Sequence, residues 1–139
     1  IFDLYTEHLG DQAKRLIGNV VAEIISSQFM VHSSWKNYIV GFENHGGRTY
    51  LGPQMKPLAK VIKGYGNNAE DGYEGAVYKN SIGSYFHGPL LPKNPMIADW
   101  LLQKAIEKKY KKTIILDSLD DSLADNARNA LMKLLGIVI

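Results

Sequence analysis

The sequence has no cysteine among its 139 residues. Without thiols the chain forms neither a disulfide framework nor a thiolate metal site, and it offers no cysteine nucleophile of its own. An excess of one charge is also missing, because 16 basic and 14 acidic residues leave a formal net charge of only +2. That balance is too weak to indicate a nucleic-acid partner.

Long hydrophobic runs are absent as well. No apolar stretch approaches the roughly 20 residues that a membrane-spanning helix needs, and the N-terminus lacks the basic-then-apolar order of a signal peptide. We therefore expect no membrane insertion and a cytoplasmic location. The chain opens on Ile1-Phe2-Asp3-Leu4-Tyr5 without an initiating methionine, which suits a piece whose upstream portion is missing.

The length suits one domain, since a chain of this size buries roughly two-thirds of the surface that it exposes when unfolded. No internal repeat, low-complexity tract or Pro/Gly/Ser linker divides the sequence, and 45% of its residues are hydrophobic, as in ordinary soluble proteins. One basic cluster stands out between residues 104 and 112. A solvated helix face is its favoured interpretation.

Strand patterns dominate the first part of the chain. β-Branched and aromatic residues predict strands at residues 18–25, 29–31, 38–42, 48–51 and 61–65. The last of these is followed by Gly66-Asn67-Asn68, residues that tolerate left-handed backbone and favour a tight turn. Residues 75–78 and 82–86 flank a short polar run at 79–81, a pattern typical of a hairpin.

Helix patterns come late. Asn94 predicts an N-cap and Pro95 a first helical position, where the missing N–H of proline would be unpaired in any case. Ser118 and Asp121 resemble a capping box that begins a second helix. Strands followed by helices predict an α/β fold that matches the second half of a doubly wound sheet. The predicted buried stripes are Ile97, Trp100, Leu101 and Ala105 in the first helix and Leu123, Ala127, Ala130, Leu131 and Leu134 in the second.

His87 is the first candidate for chemistry. It ends a predicted strand, before Gly88 and Pro89, and strand ends in open α/β sheets face a solvent-accessible crevice. An imidazole in such a place accepts and donates protons near neutral pH. The alternative interpretation is a structural histidine packed beside Tyr85 and Phe86.

A second polar segment, Glu-Asn-His-Gly-Gly-Arg-Thr at residues 43–49, follows the predicted strand 38–42. His45, His87 and an acid have the side chains of a zinc site, but their positions match no ligand spacing, so a metal is disfavoured. For Asn44 and the glycine pair at 46–47, a structural turn is the alternative to a functional role.

Three segments carry a resemblance to a known family: residues 41–49, residues 64–68 (Gly-Tyr-Gly-Asn-Asn) and residues 83–95, which contain Tyr-Phe-His-Gly. The chain resembles the C-terminal part of class I glutamine amidotransferases of the cobyric-acid-synthase-like branch. Within that branch it is most similar to the glutaminase subunits of lipid II isoglutaminyl synthases of Gram-positive cell walls. The resemblance covers most of residues 3–105.

The resemblance implies a flavodoxin-like three-layer sandwich, with a mixed sheet and helices, of which residues 1–139 form the C-terminal part of a single domain. It also implies that His87 is the general base of a Cys–His pair whose cysteine lies in a half that is absent from this chain. No acid follows His87 directly, so Glu43 is named for the third position of a triad. A hydrogen-bonding strap between strand and loop is the alternative for Glu43. Arg15 would bind the α-carboxylate of glutamine through two parallel hydrogen bonds; it would otherwise be a surface arginine.

The resemblance further implies an enzyme of two subunits. Ammonia from glutamine would pass to a Mur-ligase-like synthetase, which binds ATP and lipid II and amidates the α-carboxyl of D-glutamate. No metal or organic cofactor is implied for the glutaminase, and this chain alone is predicted to be inactive. The rival interpretation is a non-catalytic binding or scaffold protein with an amidotransferase-like fold, which the missing cysteine favours.

Overall fold

The computed structural model describes residues 2–27, 29, 37–87 and 90–137. Within these ranges strands come first and helices last, and the predicted α/β class is confirmed. The strands are β1 (Leu4–His8), β2 (Leu16–Ile24), β3 (Tyr38–His45), β4 (Gly47–Leu51), β5 (Ala59–Lys63), β6 (Tyr73–Glu74), β7 (Ala76–Tyr78), β8 (Ser81–Gly83) and β9 (Phe86–His87). The helices are α1 (Leu90–Lys93), α2 (Pro95–Tyr110) and α3 (Ser122–Leu134).

A five-stranded sheet forms the centre of the described structure, in the order β6-β5-β2-β3-β9. Strands β1 and β4 form a separate ribbon, and β7 and β8 form a hairpin. The ladders between the described strands are antiparallel, whereas the strands of a doubly wound sheet run mostly parallel, so the described residues do not form the predicted second half of a doubly wound sheet. Because only Gly46 separates β3 from β4, the chain passes directly from the central sheet into the ribbon.

The two central strands present two different faces, since side chains alternate along a strand. The register pairs Ala22 with Ile39 and Val21 with Val40. The inner face therefore carries the even-numbered residues of β2 and the odd-numbered residues of β3, and it is buried almost throughout. The outer face carries the odd-numbered residues of β2 and the even-numbered residues of β3.

The inner face holds the main hydrophobic core. Side chains from β2 and β3 meet the hairpin and α2 there, and Trp100 packs on Phe29 with ring centroids 4.1 Å apart. Ile97, Trp100 and Leu101 of the predicted α2 stripe join this core, whereas Ala105 is exposed, so the stripe ends one turn earlier than predicted. The fully buried members of the core include Ala22, Ile24, Ile39, Leu58, Ala59 and Ile97.

The outer face has one covered end and one open end. Met132 of α3 packs against Val21 and Val40 and buries that end. Farther along the same strands, Ile17 is 49% exposed and Asn44 is exposed. The part of the outer face around Ile17 and Asn44 is called the open end. None of the described residues covers it.

Asn94 precedes α2 as predicted, but its side chain does not cap the helix. Its Oδ1 accepts the Val40 N–H at 2.9 Å, and its Nδ2 donates to the carbonyl oxygens of Val40 at 2.9 Å and Leu90 at 2.7 Å. The fully buried amide thus pairs with the edge of β3 as a neighbouring strand would. This contact joins the start of α2 to the sheet.

Helix α3 differs from its prediction in two ways. It begins at Ser122, four residues beyond Ser118, and Asp121 makes no side-chain cap hydrogen bond. The predicted buried stripe holds only for Leu131, which is partly buried against Val21 and Val40. Its other members are exposed, Leu123 and Leu134 by 84% and 78%, together with Ala127 and Ala130. The helix instead buries Arg128 and Met132. Of the apolar residues of α3, Leu131 and Met132 pack against the sheet, whereas Leu123 and Leu134 face solvent.

Most predicted strands form with shifted bounds, as β2, β3, β5 and the β7–β8 hairpin. The strand predicted at 48–51 forms as β4, but it pairs with the unpredicted β1 instead of continuing the central sheet. The segment 82–86 is split, because β8 ends at Gly83 and β9 pairs with β3. The strand predicted at 29–31 lies outside the described residues except for Phe29. In the described ranges, none of the helices has both the length and the apolar character to cross a membrane.

Candidate functional site

His87 ends β9, the edge strand that pairs with β3 through Phe42↔His87 and Glu43↔Phe86. The pairing puts His87 beside Phe42 on the open end of the outer face, and the His87 side chain is exposed. The predicted strand-end position of His87 is confirmed. Gly88 and Pro89, the loop residues that follow it in the prediction, lie outside the described residues.

Glu43 lies on the opposite, inner face, and only 1% of its surface is exposed. Its Oε1 accepts the Tyr65 N–H at 2.7 Å and its Oε2 accepts the Gly66 N–H at 3.0 Å. Since Glu43 and His87 point to opposite faces of the same ladder, the structure does not bring them together. The strap between strand and loop accounts for the hydrogen bonds of this carboxylate.

The loop that Glu43 holds is the Gly-Tyr-Gly-Asn-Asn segment, and its glycines are needed sterically. Gly64 has φ +114° and Gly66 has φ +66°, values that side chains disfavour. A Cβ on Gly64 would lie 2.8 Å from Glu43 Oε1 and 2.9 Å from Val20. The buried Asn68 then bonds to the backbone of β4 through the Thr49 carbonyl at 3.1 Å. The predicted tight turn is confirmed.

His45 is also buried on the inner face, with its Nδ1 2.9 Å from the Gly47 carbonyl oxygen. That carbonyl only accepts, so Nδ1 carries the proton. The imidazole stacks on the Tyr85 ring at 3.6 Å between centroids, and the Tyr85 hydroxyl meets Thr49 Oγ1 at 2.7 Å. His45 Nε2 has no hydrogen-bond partner among the described residues and lies 3.9 Å from Glu43 Oε2. His45 and His87 therefore lie on opposite faces and do not form a shared metal site.

Arg48 braces the turn between β3 and β4. Its guanidinium is buried and donates to the carbonyl oxygens of Gly46 at 2.9 Å, Gly47 at 3.3 Å and Lys14 at 2.8 Å. The contact with Lys14 fixes the backbone directly before Arg15. This buried arginine has a structural role that positions the start of β2.

Arg15 is exposed, lies directly before β2 and contacts Asn44 of β3. Its Nε donates to Asn44 Oδ1 at 3.0 Å, and its Nη2 donates to the Asn44 carbonyl oxygen at 3.1 Å. Asn44 shares the outer face with Phe42, the residue paired with His87. The structure thus brings Arg15 and His87 to the same open end, and separates both from Glu43.

Glu74 is a buried acid that the sequence did not single out. Burial raises the pKa of its carboxyl above the usual value, although its Oε1 accepts hydrogen bonds from Ser84 Oγ at 2.8 Å and from the Tyr85 N–H at 2.9 Å. These bonds hold the backbone just before β9. Glu74 therefore helps to place the strand that carries His87.

Asn44 and Glu74 both lacked a pattern that pointed to their roles. Asn44 contacts an arginine 29 residues away and Glu74 contacts a backbone group 11 residues away, so each role depends on tertiary pairing. The one available signal for Asn44 was its place in the dense polar run at 43–49.

The comparisons with known proteins agree on one family. Residues 1–95 match the model of the CobB/CobQ-like glutamine amidotransferase domain. That range contains every site residue described above, and it ends at Pro95, where α2 begins.

Two kinds of relative are similar to this chain: lipid II isoglutaminyl synthase subunits and cobyric acid synthases. The chain is 50% identical over 109 residues to the lipid II isoglutaminyl synthase (glutamine-hydrolyzing) subunit GatD of Staphylococcus aureus, covering 78% of this chain and 39% of that protein. It is 50% identical over 84 residues to the protein of the same name in Streptococcus pneumoniae, covering 60% and 32%. It is 35% identical over 100 residues to a probable cobyric acid synthase of Methanothermobacter thermautotrophicus, covering 72% and 19%. The chain thus spans less than half the length of the relatives that it matches.

Proposed function

The chain belongs to the CobB/CobQ-like glutamine amidotransferase family, and from that premise we propose that it is the C-terminal part of a glutaminase that supplies ammonia for amidating lipid II. The observation that carries the proposal is the exposed His87 at the open end of the outer face, beside the Arg15–Asn44 pair. The names of the two most similar bacterial relatives given above supply the substrate class.

In the proposed mechanism His87 is the general base. A cysteine from outside these 139 residues loses its thiol proton to the imidazole, and the thiolate attacks the carboxamide carbon of glutamine. The imidazolium then protonates the departing ammonia as the carbon–nitrogen bond breaks, leaving a glutamyl thioester. Water, deprotonated by His87, hydrolyses the thioester to glutamate and restores the thiol.

Arg15 would recognise the substrate rather than react with it. A guanidinium binds a carboxylate through two parallel hydrogen bonds, and Arg15 lies on the same face as His87. Glu43 enters the proposal as the anchor of the loop at 64–68, since both of its oxygens are occupied there. An acid that orients His87 would then come from residues other than Glu43.

The open end of the outer face suits the cysteine-bearing half of the domain. Ile17 is 49% exposed there, beside the exposed Asn44, and the chain covers only 39% of its Staphylococcus aureus relative. We therefore place the nucleophile in the remaining part of a longer protein. The ammonia would pass to a Mur-ligase-like partner that binds ATP and lipid II and amidates the D-glutamate α-carboxyl, in the cytoplasm.

One observation favours the rival function. The chain has no cysteine, and a non-catalytic binding protein of amidotransferase shape would need none. The 139-residue chain alone is expected to release no ammonia from glutamine under either function. A preceding segment with a cysteine in a sharp glycine-flanked turn would support the enzyme, and a natural start near Ile1 would support the scaffold.

The decisive test uses the longer protein that carries the cysteine, together with the ligase-like partner. His87→Ala should lower glutamine-dependent amidation by about 10²–10⁴-fold, the usual contribution of a general base, and leave amidation from added ammonium largely intact. His8→Ala, an exposed histidine on β1, is the matched control. Full glutamine-dependent activity in His87→Ala would show that this histidine is only part of a strand-to-helix turn.

A further inference from the structure

Asn44 makes two contacts with a single arginine across the β2–β3 pair. Its side-chain oxygen accepts from Arg15 Nε at 3.0 Å, and its backbone oxygen accepts from Arg15 Nη2 at 3.1 Å. Nε and Nη2 lie on one edge of the planar guanidinium. The two oxygens of Asn44 therefore occupy the Nε–Nη2 edge of the Arg15 guanidinium.

The remaining edge of the same guanidinium is the one that Nη1 shares with Nη2. A guanidinium has five N–H donors, of which Asn44 uses two, and among the described residues no hydrogen bond uses Nη1. An exposed arginine ordinarily loses side-chain conformational entropy when a ligand fixes it. Because Asn44 already holds the Nε–Nη2 edge, less entropy is lost when a ligand binds. The Nη1–Nη2 edge keeps the donors for two parallel hydrogen bonds to a carboxylate.

We propose that Asn44 is a positioning residue that orients Arg15 toward the α-carboxylate of glutamine, and so contributes to selecting this substrate. The proposal rests on the proposed function, because it takes glutamine as the substrate and His87 as the base. Asn44 itself does not touch the reacting atoms. Its role is to hold the guanidinium that binds the far end of the substrate.

The spacing along β3 agrees with the size of the substrate. Asn44 is two residues from Phe42, about 7 Å along an extended strand, and Phe42 is paired with His87. The carboxamide and α-carboxyl carbons of an extended glutamine are about 5 Å apart, given four bonds of about 1.5 Å. Along the strand direction, the separation between Asn44, which holds Arg15, and Phe42, which pairs with His87, is thus of the same order as the length of one glutamine.

The test measures glutamine hydrolysis by the longer, cysteine-carrying protein with two substrates. One is glutamine, and the other is 4-aminobutanamide, which keeps the carboxamide and the amine but has no α-carboxylate. Asn44→Ala should raise the KM for glutamine about tenfold, the effect of losing one hydrogen bond to a charged group, with little change in kcat. The KM for 4-aminobutanamide should stay the same. Asn129→Ala, an exposed asparagine on α3, is the control.

A double-mutant cycle separates positioning from a direct contact. If Asn44 acts only through Arg15, Asn44→Ala should have no further effect on the glutamine KM in an Arg15→Ala background. Additive effects of the two substitutions would overturn the proposal, as would an equal loss with both substrates, since that would indicate a general structural role. An unchanged glutamine KM in Asn44→Ala, when Arg15→Ala raises it, would also overturn the positioning role alone. No effect of Arg15→Ala would instead contradict the proposed function of Arg15.

Discussion

The sheet region up to Pro95 and the helical region after it differ in how completely they bury their side chains. In the sheet region Glu43, His45 and Glu74 are buried and hydrogen-bonded, and the described ladders fix them at defined positions. In the helical region Leu123 and Leu134 are 84% and 78% exposed, although apolar side chains usually gain stability from burial. The family match covers residues 1–95, so it stops where this change occurs.

The difference teaches that polar contacts as well as a hydrophobic core hold the sheet region, whereas α3 contributes few buried side chains. Each buried acid holds backbone N–H groups of a loop or strand, which ties sequence-distant segments together. In α3, by contrast, only Arg128 and Met132 are buried. Substitutions of buried residues in the sheet region should therefore have large effects, and substitutions on the exposed side of α3 small ones.

The largest expected difference comes from truncating one leucine in each region. Leu58→Ala, at a fully buried position of the inner-face core, should lower the free energy of unfolding by about 2–5 kcal/mol. Leu123→Ala should change it by about 0.5 kcal/mol or less, since the side chain is 84% exposed. Urea titration of both variants measures the two values. A large loss of stability for Leu123→Ala would mean that the side of α3 that carries Leu123 packs against the protein.

A pair of glycines sharpens the comparison at the backbone. Gly64 and Gly136 both have positive φ, +114° and +74°, but a Cβ on Gly64 would press on Glu43 and Val20 whereas one on Gly136 would meet no atom within 4 Å. Both alanine variants should incur backbone strain of about 1 kcal/mol or more, and Gly64→Ala a further 1–3 kcal/mol or so from overpacking. Equal losses of thermal stability in the two variants would show that the loop at 64–68 moves away freely.

Glu43→Gln tests the strap itself. The carboxylate accepts two N–H groups, one on each oxygen, and an amide retains only one acceptor, so we expect a loss of about 1–3 kcal/mol. Thermal melting measures this loss, with Glu7→Gln at an exposed position of β1 as the control. A third member of a catalytic triad would instead lower the rate of the longer protein without changing its stability. That outcome would restore Glu43 to the triad.

The smallest expected effect is a difference in pH dependence between two glutamates. Burial raises the pKa of Glu74 in the folded state. The stability that this shift gives the fold is fully present below the ordinary value of 4.5, where the carboxyl is protonated, and is lost as the pH rises through the folded pKa. Glu74→Gln should therefore melt higher than the parent at pH 7, by an amount that falls toward zero below pH 4.5. Glu107 on α2 behaves oppositely, because its hydrogen bond from Lys104 lowers its pKa. A Glu74→Gln variant that melts lower at pH 7 would show that the charge itself is needed.

Local chemistry in the sequence predicted those features that depend on neighbouring residues. The start of α2 at Pro95, the turn at 64–68 and the hairpin were predicted because a proline in the first helical turn and turn residues act within a few residues. The strand-end position of His87 belongs to the same group. These are the parts of the fold for which periodicity and turn residues give direct information.

Features that depend on distant pairing were missed. The β1–β4 ribbon joins residues about 40 positions apart, and periodicity does not reveal with which strand each strand will pair. The sequence showed that α3 carries many apolar residues, but it did not show which of them would face the sheet. The partners of Asn44 and Glu43 depend on which face of β3 each side chain occupies, and a shift of one residue in register would exchange them.

The amide of Asn94 makes the exchange of a single backbone proton informative. Because the Val40 N–H donates to this side chain, deuterium replaces it only when the start of α2 lifts from the edge of β3. The exchange rate of that proton therefore reports the free energy of opening between helix and sheet, independently of global unfolding. Comparison with the amides of β2 would tell whether the two regions separate as distinct cooperative units.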